Sequence, residues 1–210
     1  MAKTAATRRS DWRNGFLFLG NQLALDFLNT RPLQNGAHVE LLPDFRALLR
    51  WFRAAGLLGS RDAARLGQRW GRSARAQGTL EPMRRLREAI RRAVLRREGG
   101  GNASPAIKNE LNRLMAMYPM RTRLKVSAGV SSSELWFPAR QPEDLFAPLA
   151  HSATDLLANL DRSRVRQCRQ CVLHFYDTSK KGTRRWCSMR LCGNRLKVAA
   201  YAARRRNNSV

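Results

Sequence analysis

Four cysteines in the last quarter of the chain have the spacing of a metal site. Four thiolates suit Zn²⁺, which is borderline soft and accepts any ligand set that packs tetrahedrally. A closed shell of four sulfurs leaves no open position for water, so it indicates a structural ion rather than a catalytic one. We therefore expect one structural zinc ion, bound by the only cysteines present, spaced C-x2-C-x15-C-x4-C: Cys168, Cys171, Cys187 and Cys192.

Other chemistries use the same residue types. An iron–sulfur cluster also takes four thiolates, whereas a redox Cys-x-x-Cys pair would need a thioredoxin-like βαβ context that this sequence lacks. Disulfides are disfavoured, because Met1 to Ser10 is basic and precedes Asp11 rather than the apolar core of a secretory signal. His174 competes as a ligand three residues after Cys171, but four thiolates already complete the shell, so we expect it to be a packing or surface residue.

The charge of the chain indicates a polyanionic partner. The formal net charge is +25, and arginine outnumbers lysine 34 to 6, so arginine-rich codon usage is one explanation. The charge is unevenly spread, however. Residues 162–210 hold 14 Lys or Arg and one acid, Asp177, whereas residues 1–161 hold 26 basic and 14 acidic residues. Because codon usage alone would not concentrate charge on the cysteine segment, the charge favours a polyanionic partner, either nucleic acid or an anionic membrane surface.

Basic side chains are expected around the cysteine cage. The sequence predicts a strand at 172–176, a turn at 179–182, a second strand at 183–186 and a helix from about 193 to 206. Lysine and arginine neutralise phosphates, arginine can bond guanine, and asparagine can bond adenine. The candidate nucleic-acid contacts are Lys180, Lys181, Arg184, Arg185, Arg190, Asn194, Arg195, Lys197, Arg204, Arg205 and Arg206.

Several of these candidates also have a structural interpretation. Asn194 can cap the helix, and Arg195 can bond backbone carbonyls of the cage. The run Arg204 to Arg206 can form a solvated tail that adds only sequence-independent affinity. The nearby Trp186 and Tyr176 fit a small core beside the metal better than platforms for stacked bases.

The rest of the chain predicts a helical domain that positions this segment. Apolar residues at helical spacing follow Pro43-Asp44 and stop at Gly56, and the same criteria predict further helices at 21–30, 60–75, 80–98, 105–117 and 142–160. We expect Asn21 to cap the first of these helices, Pro148 to kink the last, and 161–167 to link it to the cysteine segment. Alternating residues at 121–127 and 134–137 predict a β-hairpin. The expected fold class is mainly α with a small β-hairpin (α+β), in which a helical N-terminal domain is followed by a C-terminal treble-clef-like zinc finger.

Motifs at both ends of the chain resemble one protein family. Cys192-Gly193-Asn194-Arg195, preceded by Arg185-Trp186-Cys187-Ser188-Met189, resembles the motif that names the CGNR zinc-finger proteins. Residues 20–30 (GNQLALDFLNT) and Leu42-Pro43-Asp44 are similar to the ABATE domain that accompanies that finger, although Asn21 stands where a second glycine is expected. Residues 1–14 are basic and are expected to form a flexible leader. The resemblance implies an ABATE-like sensor or regulatory domain at 15–161 and a CGNR-type DNA-binding finger at 162–210.

This resemblance also implies a function. A bacterial, stress-responsive transcription regulator would bind duplex DNA through its finger and would sense a small-molecule effector, or form a homodimer, through its N-terminal domain. We expect a cytoplasmic, nucleoid-associated protein, because the basic start of the chain does not resemble a secretory signal. We also expect no membrane partner; no apolar stretch is long enough to span a bilayer. An RNA-binding zinc protein and a protein-interaction adaptor are the alternatives.

The sequence contains no grouping that indicates catalysis, so we expect that the protein is not an enzyme. His38 and His151 are isolated, and there is no Ser/His/Asp triad, P-loop or pair of carboxylates. Asp26 lies among apolar residues and is either a buried anchor or a carboxylate of a ligand pocket. One predicted helix carries a row of arginines that is either a solvated face or a second phosphate-binding surface: Arg61, Arg65, Arg69 and Arg72.

Overall fold

The described part of the chain folds into a helical body with four small antiparallel strand pairs. A computed structural model describes residues 11–34 and 36–194. Within them the α-helices are α1 Leu23–Leu28, α2 Phe45–Ala54, α3 Ser60–Trp70, α4 Ala74–Glu98, α5 Pro105–Met117 and α6 Phe146–Ala158. The antiparallel strand pairs are β1 Trp12–Arg13 with β2 Phe16–Leu17, β3 Leu33–Gln34 with β4 Ala37–His38, β5 Arg121–Ser127 with β6 Val130–Trp136, and β7 Val165–Gln167 with β8 His174–Tyr176. The expected mainly α fold class is confirmed.

Helix α2 forms as its sequence predicts. The Asp44 carboxylate accepts a hydrogen bond from the Ala47 N–H at 2.7 Å and so satisfies one free donor of the first turn. Gly56 follows the helix with φ +79°, a conformation that ends helices and favours glycine. One face of α2 is completely buried, and its Trp51 ring packs against the Phe27 ring of α1 at 5.6 Å between centroids. This contact lies in the main core of the helical domain.

The boundary between the third and fourth helices differs from the prediction. Helix α3 ends at Trp70 rather than near residue 75, and α4 begins at Ala74 instead of after Thr79. The Ser73 hydroxyl caps α4 by accepting a hydrogen bond from the Ala76 N–H at 3.1 Å. Pro82 lies inside α4, where it lacks the N–H that a helix interior uses. Tertiary packing of the 25-residue helix outweighs that loss.

The predicted hairpin and the last helix are present with shifted ends. A two-residue turn, Ala128-Gly129, joins β5 to β6, so β6 starts four residues earlier than expected. Both turn residues have positive φ (48° and 76°), as in the tight turns that match strand twist. A 3₁₀ turn, Pro142–Leu145, precedes α6, and Pro148 lies in the first turn of α6. A proline there removes no intrahelical hydrogen bond, which explains why the expected kink at Pro148 is not needed.

Two arginines of α4 hold α1 in place. Arg87 is buried and donates hydrogen bonds to the Thr30 hydroxyl at 2.8 Å and to the Glu40 carboxylate. Burial alone would raise the pKa of Glu40, but the hydrogen bonds from Arg87 lower it below its usual value. Arg91 donates to the Leu28 carbonyl at 2.6 Å and so caps the C-terminal end of α1. The short α1 is therefore fixed by α4.

The segment before α1 makes a close turn around a buried carboxylate. Asn21 has φ +54° and does not cap the helix as expected, since the Gln22 side chain accepts the hydrogen bond from the Leu25 N–H instead. The Asp26 carboxylate accepts the Gly20 N–H at 2.7 Å. A Cβ atom at Gly20 would lie 2.8 Å from the Asp26 nitrogen, so this position requires glycine. Asp26 is thus a buried anchor for the turn at Gly20, one of the two roles that the sequence left open.

Residues near the expected leader take part in the fold. Trp12–Arg13 forms β1, although we expected residues 1–14 to be flexible; residues 1–10 lie outside the described part. Between the helical domain and the cysteines, the expected linker 161–167 contains a 3₁₀ turn and β7. Over the described ranges, no helix is both long enough and apolar enough to cross a bilayer.

The buried Asp26 predicts an unusual pH dependence of stability. Burial raises the pKa of Asp26 to about 7, against the lowering effects of the Gly20 N–H and the Arg13 charge. The native state therefore keeps a proton that the unfolded chain releases from about pH 4 upward, and this contribution to stability is lost as pH rises toward 7. Relative to the native protein, Asp26→Asn should gain about 2–3 kcal/mol of unfolding free energy between pH 5 and pH 8.

Urea unfolding of both zinc-loaded proteins at the two pH values measures this difference. Effects of pH on the metal site cancel in the comparison, because both proteins carry the same cysteines. An unchanged difference between pH 5 and pH 8 would mean that Asp26 titrates in its ordinary range and is ionised in the native state.

Candidate metal centre

The first two cysteines lie in the turn that joins β7 to β8. The two strands pair in the register Val165↔Tyr176, so Cys168 directly follows β7. The Cys168 N–H donates to the Leu173 carbonyl at 2.8 Å and closes the turn. Val172 has φ +53°, a strained conformation for a β-branched residue, in the position after Cys171. The turn brings two sulfurs to one side, as the Cys-x-x-Cys spacing predicts.

This pairing corrects one prediction. We expected the strand at 172–176 to pair with a second strand at 183–186, but β8 pairs with β7 upstream, and residues 183–185 form no regular structure. The physical reason is the buried Asp177, whose carboxylate accepts the Ser179 N–H at 2.9 Å and the Arg184 N–H at 2.8 Å. These bonds fold residues 177–184 into a closed loop rather than a ladder.

The other two cysteines flank a short helical turn. Cys187 precedes a π-helical turn, Met189–Gly193, and Cys192 lies within that turn. The N–H groups of Cys192 and Gly193 both donate to the Ser188 carbonyl, at 3.0 and 3.1 Å. We expected a helix from about 193 to 206; Asn194 has helical backbone angles, and residues 195–210 lie outside the described part.

The four sulfurs form one cluster. All four lie within 4.8 Å of one another, with Cys171 Sγ 3.5 Å and Cys192 Sγ 3.6 Å from Cys187 Sγ. Zinc–sulfur bonds of about 2.3 Å in a tetrahedron place sulfurs about 3.8 Å apart, so the cluster fits one zinc ion. His174 is not a member of the cluster. The predicted structural zinc site, with its four ligands, is present.

The ionisation of these thiols depends on a cation. Hydrogen bonds from Cys171 and Cys187 lower the pKa of Cys168, and the same bonds raise the pKa of Cys171 and Cys187, whose protons they use. Burial raises the pKa of Cys192. Four thiolates therefore coexist here only around a metal ion, which replaces the protons and ties metal binding to folding.

A small apolar core surrounds the sulfurs. Leu173 and Phe175 are buried with three of the cysteines, and Leu19, from the segment before α1, completes this core. Trp186 packs against it, while Tyr176 packs against the core of the helical domain. Both aromatic residues thus have the packing role that we favoured over base stacking.

Main-chain hydrogen bonds dock the finger on the helical domain. The Asn29 amide donates to the His174 carbonyl at 2.8 Å and accepts the His174 N–H at 3.0 Å. The Tyr176 N–H donates to the Gly20 carbonyl at 2.8 Å, and the Asn21 amide donates to the Tyr176 carbonyl at 2.9 Å. Strand β8 is therefore bound on one side by β7 and on the other by the segment 20–29.

His174 is a packing residue at this junction. Its side chain is buried, and burial together with the charge of Arg91 lowers its pKa to about 4. The Glu98 carboxylate lies 3.9 Å from His174 Nε2, and burial raises the pKa of Glu98. The imidazole is therefore neutral at physiological pH. His38 and His151 are exposed and belong to no metal cluster among the described residues.

Some of the candidate nucleic-acid contacts bond to other residues of the protein, and others are exposed. Arg184 is half-buried, donates to the Cys187 carbonyl and lies 5.0 Å from the centre of the Phe175 ring, so it stiffens the cage. Arg190 is exposed but donates to the Asp11 carboxylate at 3.2 Å. The remaining described candidates are exposed: Lys180, Lys181, Arg185 and Asn194. The other candidates lie outside the described residues: Arg195, Lys197, Arg204, Arg205 and Arg206.

Three residues that organise this site are not among the candidates that the sequence offers. Asn29 clamps β8, Asp177 closes the loop at 177–184, and Asp11 accepts hydrogen bonds from Ser188 and Arg190. A lone acid in a strongly basic segment was the available signal for Asp177. No local pattern distinguishes Asn29 or Asp11 from solvent-exposed polar residues.

A helical domain that ends in a four-cysteine cage defines a zinc-finger protein. The ABATE family model, described as "Putative stress-induced transcription regulator", matches residues 21–159, and the model of the CGNR zinc finger matches residues 164–205. The chain therefore belongs to the ABATE family and carries a C-terminal CGNR zinc finger, as its motifs suggest. No curated protein matches the chain.

Loss of one sulfur should remove the metal and unfold the finger. Cys187 is a ligand that is close to two others, so Cys187→Ser should abolish stoichiometric zinc in the purified protein, measured by atomic absorption. Far-UV circular dichroism should keep most of its helical signal, because the helical domain has its own core. His174→Asn is the matched control and should retain zinc, since His174 lies outside the cluster. Full zinc occupancy in Cys187→Ser would contradict the four-sulfur site.

Loss of the Asn29 clamp should loosen the finger without removing zinc. Asn29→Ala leaves the buried N–H and carbonyl of His174 unpaired, at a cost of about 2–4 kcal/mol for two buried hydrogen bonds. Hydrogen exchange of the β8 amides should accelerate, while zinc stoichiometry stays that of the native protein. Unchanged exchange at residues 174–176 would show that the clamp does not stabilise the junction. Exposed Asn109→Ala on α5 is the control for handling and expression.

Proposed function

We propose that this protein is a transcription regulator that binds duplex DNA through the basic surface of its zinc finger. The one-sided charge of the finger carries this proposal. Residues 162–210 contain a single acid, Asp177, which is buried and used by backbone N–H groups. Every exposed charged side chain in the described part of the finger, 162–194, is therefore positive. Such a surface attracts the phosphate backbone and releases its counterions.

The cations of the finger loop are held in a preorganised frame. Asp177 fixes the loop from inside, and Arg164 donates to the carbonyls of Asp177 and Ser179 at 3.0 and 2.8 Å. Lys180 and Lys181 lie at the exposed turn of this loop. Because the loop is already ordered, binding loses less conformational entropy than it would with a flexible basic tail.

The candidate DNA contacts differ in how exposed their side chains are, and we assign their roles accordingly. We assign phosphate contacts to the exposed Lys180, Lys181 and Arg185. Arg184 serves the cage through its bond to the Cys187 carbonyl, so it supports DNA binding only indirectly. We assign base contacts to Asn194 and the segment that follows it, where Arg195 and Lys197 lie outside the described residues.

The helical domain is proposed to regulate this finger by sensing a ligand or by forming a homodimer. The docking of β8 on Asn29 and Gly20 supports a mechanical link, since a change in the helical domain would move the finger as well. The family description supports a regulator, and we place the protein at the nucleoid in the cytoplasm.

Removal of two loop cations should lower both the affinity for duplex DNA and its salt dependence. Each phosphate contact contributes about 0.9 to the slope of log affinity against log salt. For the full-length, zinc-loaded protein, Lys181→Gln with Arg185→Gln should reduce that slope by about 2 in a fluorescence-anisotropy titration. The control pair, Arg61→Gln with Lys108→Gln, removes the same charge from exposed helix positions outside the finger and should leave the slope unchanged.

Two outcomes would overturn the DNA proposal. One is an absence of duplex affinity at low salt in the zinc-loaded protein. The other is an equal effect of the two variant pairs, which would mean that only net charge matters. Competition with a structured RNA of equal length decides between nucleic acids: preferential displacement by RNA would replace the proposal with the RNA-binding alternative.

A further inference from the structure

A groove between α2 and α3 is lined by five arginines. Its volume is about 790 Å³, within the range of about 300–1,000 Å³ typical of small-molecule sites. Helix α2 contributes side chains one turn apart, on the opposite side from its buried face, and α3 and the residues after it contribute the others. The arginines that line the groove are Arg46, Arg50, Arg53, Arg69 and Arg72.

None of these arginines forms an ion pair among the described residues. Arg53 donates to the Ser60 hydroxyl at 3.3 Å, and Arg69 lies over the Trp70 ring at 5.0 Å. Asp62, an acid of the same helix α3, pairs with Arg65 at 2.8 Å instead. Five positive charges thus share one concave surface without a carboxylate, and this repulsion is relieved when an anion binds.

Other arginines of the helical domain contrast with this groove. Arg87 and Arg91 on α4 bond to Glu88, and Arg113 on α5 bonds to Glu110. Arginine-rich codon usage explains the number of arginines but not their convergence without acidic partners. Two members of the predicted arginine row line the groove, Arg69 at the end of α3 and Arg72 just after it, whereas Arg65 does not.

The remaining lining residues indicate what kind of anion fits. Apolar side chains and backbone of Leu49, Ala63 and Gly67 form part of the groove, and the Ser60 hydroxyl, which accepts a hydrogen bond from Arg53, adds a donor. Guanidinium groups bind phosphate through paired hydrogen bonds. An apolar patch among them suits the ring of a compact ligand.

We propose that the groove between α2 and α3 binds a phosphorylated small molecule of nucleotide size that carries more than one phosphate. Such a ligand would be the effector of the helical domain, and in that sense the inference rests on the proposed regulatory function. The binding itself needs neither DNA nor the finger. It is therefore measured separately, and its failure is distinguishable from a failure of DNA binding.

Isothermal titration of the full-length, zinc-loaded protein with ATP and AMP tests the proposal. ATP should bind at least about tenfold more tightly than AMP, because charge-assisted hydrogen bonds to the added phosphates each contribute about that factor. Equal binding of ATP and AMP, or no binding of ATP, would overturn the proposal.

Variants locate the site. Arg50→Gln with Arg69→Gln should weaken ATP binding by at least about 30-fold, and Arg46→Gln with Arg72→Gln should do so independently. The control pair, Arg61→Gln with Lys108→Gln, removes the same charge outside the groove and should change the affinity less than about twofold. An equal loss in the control would indicate charge attraction without a site. All of these side chains are exposed, so thermal unfolding should remain that of the native protein.

The same variants separate the groove from a DNA surface. Duplex affinity of Arg50→Gln with Arg69→Gln, measured without nucleotide, should equal that of the Arg61/Lys108 control. If the groove pair loses duplex affinity as strongly as it loses ATP affinity, the groove is a phosphate-backbone contact and the small-molecule proposal is wrong.

Discussion

Four sulfur atoms packed within 4.8 Å of one another are held together by the cation that they share. Without the cation, neighbouring thiols share protons, so that the pKa of Cys168 is lowered and the pKa of Cys187 is raised. With it, two distant pieces of chain are joined, and Phe175 and Leu19 gain a common core. The metal thus stabilises β8, and β8 in turn provides the edge on which the helical domain and the finger meet.

Hydrogen bonds join the helical domain to the zinc finger in this chain. Main-chain atoms of β8 bond to the segment 20–29, and Asp11 binds the helical turn near Cys192. A regulator built in this way differs from a reader domain on a flexible linker. Any movement of one part relative to the other has to break these buried hydrogen bonds, which sets a free-energy threshold for it.

Local signals in the sequence predicted local structure. The cysteine spacing, the Asp44 cap and the Gly56 terminator all act within a few residues, and the structure contains each of them. Non-local choices were harder. Strand alternation identified β8 but not its partner, because pairing depends on how Asp177 folds the following loop. Composition likewise does not show that the Arg184 side chain already donates a hydrogen bond to the Cys187 carbonyl.

The contact of Asn29 with residue 174 involves only the main chain of the finger. A hydrogen bond between a carboxamide and a peptide group does not depend on which side chain that peptide carries. Over evolutionary time, position 174 is therefore free to exchange among residues that fill the same buried volume, whereas position 29 needs a side chain that can donate and accept at once. Asparagine meets that need at this reach, so substitutions should accumulate at position 174 rather than at position 29.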